Sequence, residues 1–219
     1  MSKLKLHLLP PSPNNTKVLI ALKYKNIDFD AVLINHADPT NRDAIIADTG
    51  QSLTPAIHHN GTKLFDSSAI LRYLDVNFPG PRLYAEERET HKEIEAWEAY
   101  HRNQLGPLLG GAFGMFFSGE TDEPRVAEIN QGLNEATQKL EDALEGKQWL
   151  VGDSMTAADI CVACFLHYSC FNDEDAQQSK VWQWMKQRFE LGPNRENARA
   201  HIRRVMDHLP QFSSLGWTF

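Results

Sequence analysis

The chain has 219 residues, 42% of them hydrophobic and 23% charged, which suits a water-soluble protein with a substantial core and room for two domains. A net charge of −7 argues against a general nucleic-acid binder. The start, MSKLKLHLLPPSPNN, lacks the apolar run of a signal peptide, and no stretch approaches the length of a membrane span, so the expected address is cytoplasmic with no membrane partner.

In chain order, Leu4 to Leu9 is a short apolar strand candidate, and Asn15 to Lys25 carries Val18, Leu19, Ala21 and Leu22 on a helical face. Phe29 to Leu33 is a second strand, and Thr40 to Asp48 has weak helix character. Pro55 then opens an apolar run that reaches Asn60-Gly61, the dipeptide suited to the φ > 0 positions of a type I′ hairpin. Asp66-Ser67-Ser68 precedes a helix running from Ser67 to about Asn77, where a Ser or Asp can cap exposed backbone N–H groups. The order βαβαββα is that of a thioredoxin-like domain. A helix start of this kind attracts carboxylates.

Phe78-Pro-Gly-Pro-Arg82 breaks the pattern, giving a first domain over 1–78, a linker over 79–85 and a second domain over 86–219. The strand signal ends there. Glu86 to Leu105, Pro124 to Leu144, Thr156 to Tyr168, Ala176 to Phe189 and Arg195 to His208 favour helix, so the second domain is expected to be an all-α bundle. Thr156 followed three residues later by Asp159 reads as a capping box, with Met155 and Ile160 as a hydrophobic staple. Charge divides along the same line. There are eight Lys/Arg against seven Asp/Glu up to residue 80, and fourteen against 22 beyond it, so the first part suits an anionic ligand better.

The three cysteines, Cys161, Cys164 and Cys170, all fall late in the chain and cannot be fully paired within it. Cys161 and Cys164 lie inside a helix rather than ahead of one, and read as core packing. His58 and His59 are adjacent on a strand, so they point to opposite faces and make no metal pair. One is expected to be half-buried and the other solvated. No metal site is expected.

The hairpin, proline and Asp-Ser helix start resemble the glutathione-binding half of the cytosolic glutathione S-transferase family, and the Thr156–Asp159 cap resembles that of its C-terminal domain. Pro11-Ser12-Pro13-Asn14 is similar to the Ser-Pro-Asn or Thr-Pro-Asn motif of bacterial or theta/nu-like members. The resemblance implies a cis Thr54-Pro55 bond and makes glutathione the co-substrate. Ser12, with Asn14 as second candidate, would stabilise the thiolate; the alternative is that Ser12, Asn14 and Asn15 cap the first helix. Thr54 would bind the cysteinyl backbone beside Pro55, and Asp66 and Ser67 the γ-glutamyl end. Where many members carry Lys or Arg, two residues before the proline, this chain has Leu53; Gln51, His36 or Arg42 are the candidates for the glycine carboxylate.

Tyr100, Phe113, Phe116, Phe117 and the terminal Trp217-Thr-Phe219 are candidate walls of an apolar electrophile pocket, with core packing an equal reading for the 106–119 segment. The implied function is conjugation of glutathione to a hydrophobic electrophile in detoxification, by a homodimer. Two alternatives are reduction of small disulfides or peroxides with glutathione, and a non-catalytic glutathione-binding regulator. A protein-thiol mechanism is disfavoured, because the first domain contains no cysteine.

Overall fold

The computed structural model describes residues 3–35, 38–170, 173–177 and 179–216. Two compact units emerge, one running to Leu83 and joined by the segment from His208, the other covering Tyr84–Asp207.

The first unit is built from β1 (Leu4–Leu8), α1 (Pro13–Tyr24), β2 (Phe29–Leu33), α2 (Pro39–Thr49), β3 (Ala56–His59), β4 (Thr62–Leu64) and α3 (Ser67–Asn77). Its sheet has the order β2-β1-β3-β4, parallel between β1 and β2 and antiparallel elsewhere. This is the expected βαβαββα arrangement. The period of two in β1 divides its side chains between faces. Leu4, Leu6 and Leu8 are fully buried, as is Ile57 paired with Leu6. Lys5 and His7 take the other face, where Ala56, Ile34 and Ile45 form a small apolar cluster. Asn60 (φ 50°) and Gly61 (φ 81°) occupy the left-handed region that a two-residue hairpin requires.

Residues 15–22 of α1 are all buried. Beyond its C-terminus, Lys25 places its ammonium 2.8 Å from the Pro81 carbonyl and 3.4 Å from Asp75, whose other contacts are the Leu83 N–H at 2.7 Å and Arg82 at 3.2 Å. The Pro-Gly-Pro segment is thus held by a buried ion pair. Gly80 (φ 110°) lies so close to α1 that a Cβ would sit 3.0 Å from the Lys25 carbonyl oxygen, which explains glycine there. The sequence reading assigned residues 208–219 to the helical domain, but the described part of that tail clusters with the first unit. Phe212 is buried and His208 meets the Tyr24 ring edge-on at 5.3 Å.

The second unit contains α4 (Arg88–Tyr100), α5 (Gly106–Ser118), α6 (Glu123–Ala143), α7 (Ala157–Leu166), α8 (Asp173–Ala176), α9 (Lys180–Lys186) and α10 (Glu196–Met206). Every residue of α7 is buried, Cys161 and Cys164 among them, with α4 and α10 packed against it. A π-turn over His101–Leu105 joins α4 to α5. Its cause is local: Pro107 has no N–H to continue the α-helical ladder, and the Gly106 N–H bonds to the His101 carbonyl five residues back. The glycine-interrupted 106–119 segment, which had no helix assignment from sequence, is helical as α5 and packs on α6. Gly132 permits that approach, since a Cβ there would meet the Leu108 side chain at 2.6 Å.

The capping box forms around Asp159, which is fully buried. One oxygen accepts from the Thr156 N–H at 2.7 Å and its hydroxyl at 2.9 Å; the other accepts from the Leu150 N–H at 2.8 Å and faces His201 Nε2 at 2.8 Å.

Candidate functional site

Three separated segments of the first unit are drawn together by side-chain hydrogen bonds. Asn15, fully buried in α1, accepts from the Leu9 N–H at 3.2 Å and donates to Thr54 Oγ1 at 3.3 Å. Ser67, at the start of α3, donates to Asn14 Oδ1 at 3.4 Å. The Ser12–Asn15 turn therefore touches both the Thr54-Pro55 loop and the Asp66-Ser67 helix start. The Thr54-Pro55 peptide bond is cis.

Ser12 is the N-cap residue of α1, with φ −72° and ψ 132°, yet its side chain makes no capping hydrogen bond. Its carbonyl accepts from the N–H groups of Asn15 and Thr16, while the hydroxyl has no hydrogen-bond partner among the described residues at the positive end of the helix. Asp66 is the N-cap of α3 and accepts from the Ala69 N–H at 2.8 Å through one carboxylate oxygen. Asp66 is exposed, whereas Ser67 is buried.

Gln51 turns back on the neighbouring loop: its amide group donates to the Leu53 carbonyl at 3.1 Å, and its oxygen accepts from the Leu53 N–H. This clasp shapes the backbone just ahead of Thr54 and engages both ends of the Gln51 amide. The Leu53 side chain is 62% exposed. Arg42 is exposed on α2, and His36 lies outside the described residues.

Behind the loop, Asp48 in the last turn of α2 gathers three basic groups from the sheet. His7 Nε2 lies at 2.6 Å, His58 Nδ1 at 2.7 Å and Lys5 Nζ at 3.1 Å. Burial pushes the Asp48 carboxyl up, but the hydrogen bonds from His7, His58 and Lys5 outweigh it and hold the group well below the usual carboxylate range. The cluster ties α2 to the sheet just before the Gln51–Pro55 loop begins. The two strand histidines do point apart, but neither is solvated: His59 is buried and meets the Tyr73 hydroxyl at 2.8 Å. Among the described residues, no group of His, Cys, Asp and Glu is arranged to hold a metal ion.

The candidate pocket residues of the second unit separate into two sets. Tyr100 donates its hydroxyl to the Ala136 carbonyl at 3.1 Å and packs under the Lys139 ammonium at 4.1 Å, so it is tied to α6; burial pushes its phenol up. Phe113, Phe116 and Phe117 form an aromatic run along α5, with Phe116 meeting Trp184 edge-on at 5.8 Å and Phe117 75% exposed. Residues 217–219 lie outside the described residues.

Two residues of this site had no such role from sequence: Asn15, expected at most to cap the helix and found to bridge two loops, and Lys17, whose ammonium donates to Asn14 Oδ1 at 3.0 Å. Lys17 is only 1% exposed. The available signal was a lysine immediately ahead of the apolar run Val18–Leu22, on the helix that this run places in the core.

Family-level comparison matches residues 6–82 to the glutathione S-transferase N-terminal domain and residues 96–208 to the glutathione S-transferase C-terminal domain. A glutathione S-transferase of Hyoscyamus muticus is 27% identical over 177 residues, covering 75% of this chain and 82% of the relative. The glutathione S-transferase GstB of Escherichia coli K12 is 28% identical over 167 residues, covering 74% and 80%. Among solved structures, a delta-class glutathione transferase of Nilaparvata lugens superposes with a TM-score of 0.75 at 21% identity, covering 97% of this chain and 92% of that one.

Proposed function

Because the chain belongs to the glutathione S-transferase family, we propose that it is a glutathione transferase working through the Ser12, Thr54 and Asp66-Ser67 cluster. The observation that carries this reading is the free Ser12 hydroxyl at the α1 N-terminus, beside an Asn14 that is hydrogen-bonded to Ser67.

The chemistry follows from the thiol. A free thiol has a pKa of about 8.5 and is mostly protonated near neutrality, while the thiolate is the nucleophile. The O–H of Ser12 donates to the sulfur, and the positive end of α1 favours the negative charge. The thiol proton leaves to solvent. Main-chain groups of Thr54 pair with the cysteinyl unit of glutathione beside Pro55, the Asp66 carboxylate takes the α-ammonium, and Ser67 takes the α-carboxylate. The sulfur then attacks an electrophilic carbon: a C–S bond forms, and a halide departs or an epoxide C–O bond opens. Holding the two reactants together supplies most of the remaining advantage.

The aromatic run of α5, exposed at Phe117 and half-buried at Phe113 and Phe116, is the strongest candidate for contact with apolar electrophiles, whereas Tyr100 serves the packing of α6. The protein is proposed to be a cytoplasmic homodimer. No helix among the described residues is long and apolar enough to cross a membrane.

The test is a parallel assay of the purified protein with glutathione and an aryl halide, a small disulfide or a hydroperoxide. Turnover of the aryl halide with release of halide is expected. Turnover of only the disulfide or hydroperoxide would replace conjugation by reduction, and glutathione binding without any turnover would replace it by a regulatory role.

A further inference from the structure

Lys17 lies wholly within the first unit and has no role in the chemistry above, although its head group touches one of the site residues. We infer that Lys17 is a positioning residue: it fixes the Asn14 side-chain amide in the one orientation that offers its NH2 group to the glutathione sulfur. This inference rests on the proposed location of the sulfur beside Ser12.

The argument begins with donors and acceptors. A lysine ammonium has three donors and no acceptor, so only the carbonyl end of the Asn14 amide can face it. Asn14 Oδ1 accepts from Lys17 Nζ at 3.0 Å and from Ser67 Oγ at 3.4 Å, which fills both lone pairs of that oxygen. Turning the amide over would set its NH2 against the ammonium, donor against donor. The Asn14 nitrogen makes no hydrogen bond among the described residues, and the residue itself is exposed. One end of the amide is therefore anchored from below, and the other is presented outward two residues from Ser12.

Burial strengthens the effect. Lys17 is 1% exposed, so its contact with the amide oxygen acts in a medium where competing water is scarce. A long flexible side chain on the surface would give no such bias. The bond to Ser67 joins the same amide to the proposed γ-glutamyl end, so one oriented group connects the two ends of the ligand site. An Asn14 amide released from Lys17 would present its oxygen to the thiolate for part of the time, which disfavours the charged sulfur.

The experiment is a double-mutant cycle read by ultraviolet titration of the glutathione thiolate bound to the full chain, with kcat and KM for glutathione measured alongside. Lys17→Met is expected to raise the bound thiol pKa by roughly half to one unit, lowering kcat about three- to tenfold below that pKa. KM for glutathione should change less than kcat. In the Asn14→Ala background, Lys17→Met should produce no further shift. An unchanged titration in Lys17→Met alone would overturn the inference. An equal shift in both backgrounds would also overturn it, because Lys17 would then act without Asn14. If Asn14→Ala by itself leaves the thiol unmoved, the location of the sulfur is wrong and the inference falls for that separate reason. Lys17→Gln runs through the same cycle in case Met disturbs the core. The unmutated protein supplies a measurement free of folding effects: at least one Asn14 side-chain amide proton signal is expected to move on addition of glutathione. No response of that NH2 group to glutathione would overturn the inference.

Discussion

Replacing Ser12 by Ala separates two roles that an N-cap serine usually combines. A serine that caps a helix stabilises it by about 1 kcal/mol, which in a chain of this size corresponds to a melting-temperature loss of roughly 2–4 °C on removal. Ser12 makes no side-chain capping bond, so Ser12→Ala is expected to move the melting temperature by less than about 1 °C. In the proposed mechanism the same change removes a donor to the bound thiolate. A hydrogen bond to a charged group contributes about 1.5–3 kcal/mol, which is about one to two pKa units. Ser12 is only half-buried, so the lower end applies and the thiol pKa should rise by about one unit. The assays are scanning calorimetry on the free protein and ultraviolet thiolate titration with glutathione bound. Loss of thermal stability together with an unmoved titration would refute the reasoning and return Ser12 to a capping role.

In the second unit, Asp159→Ala would leave the donors of Leu150, Thr156 and His201 without their common acceptor. At about 1–3 kcal/mol for each stranded buried donor, a loss of at least ~3 kcal/mol is expected in urea unfolding, and a change below about 1 kcal/mol would contradict it. For Asp48, whose carboxyl is held low in the folded state, stability is present above the ordinary unfolded value near 3.9 and is lost as pH falls below it. Asp48→Asn should therefore flatten the decline in urea midpoint as pH falls below about 4; an unchanged acid limb would dismiss the cluster as a source of stability. At the glycine end of glutathione, Leu53→Lys restores a cation at an exposed position. It should tighten glutathione binding by about two- to fivefold by calorimetry, the size of an exposed ion pair, and unaltered affinity would show that the carboxylate lies elsewhere.

Much of the first unit was legible because its signals are local. Asn60-Gly61 sets a hairpin by itself, and Asp66-Ser67 marks a helix start without help from distant residues. The Thr156–Asp159 spacing likewise predicted its box. What escaped was decided by partners far along the chain. The 106–119 segment carries five glycines, four of them inside the helix where they weaken it in isolation, yet its packing on α6 holds it in that form. His59 has a buried partner in Tyr73 that no spacing rule announces. The orienting contact of Lys17 needs α1 to be formed first, and the contribution of Ser67 crosses 53 positions. Gln51 was one of three candidates for the glycine carboxylate, and its short-range clasp on Leu53 is a contact that spacing alone does not announce. Family resemblance supplied the order of the site residues along the ligand, which residue chemistry alone left open.

Helix α1 acts as a strut with a different attachment at each end. Its twelve residues span about 18 Å, from the Ser12–Asn14 turn to the Lys25 ammonium that grips Asp75 and the Pro81 carbonyl. A buried rod of that kind moves as a body. Crowding at Gly80, where the chain passes close to the Lys25 carbonyl, would therefore be felt at the sulfur end as a displacement of the Ser12 hydroxyl, with no loop between to absorb it. The segment leaving the first unit and the proposed thiol site share one mechanical frame, so substitutions in the Pro79–Pro81 turn belong in any survey of residues that tune the chemistry.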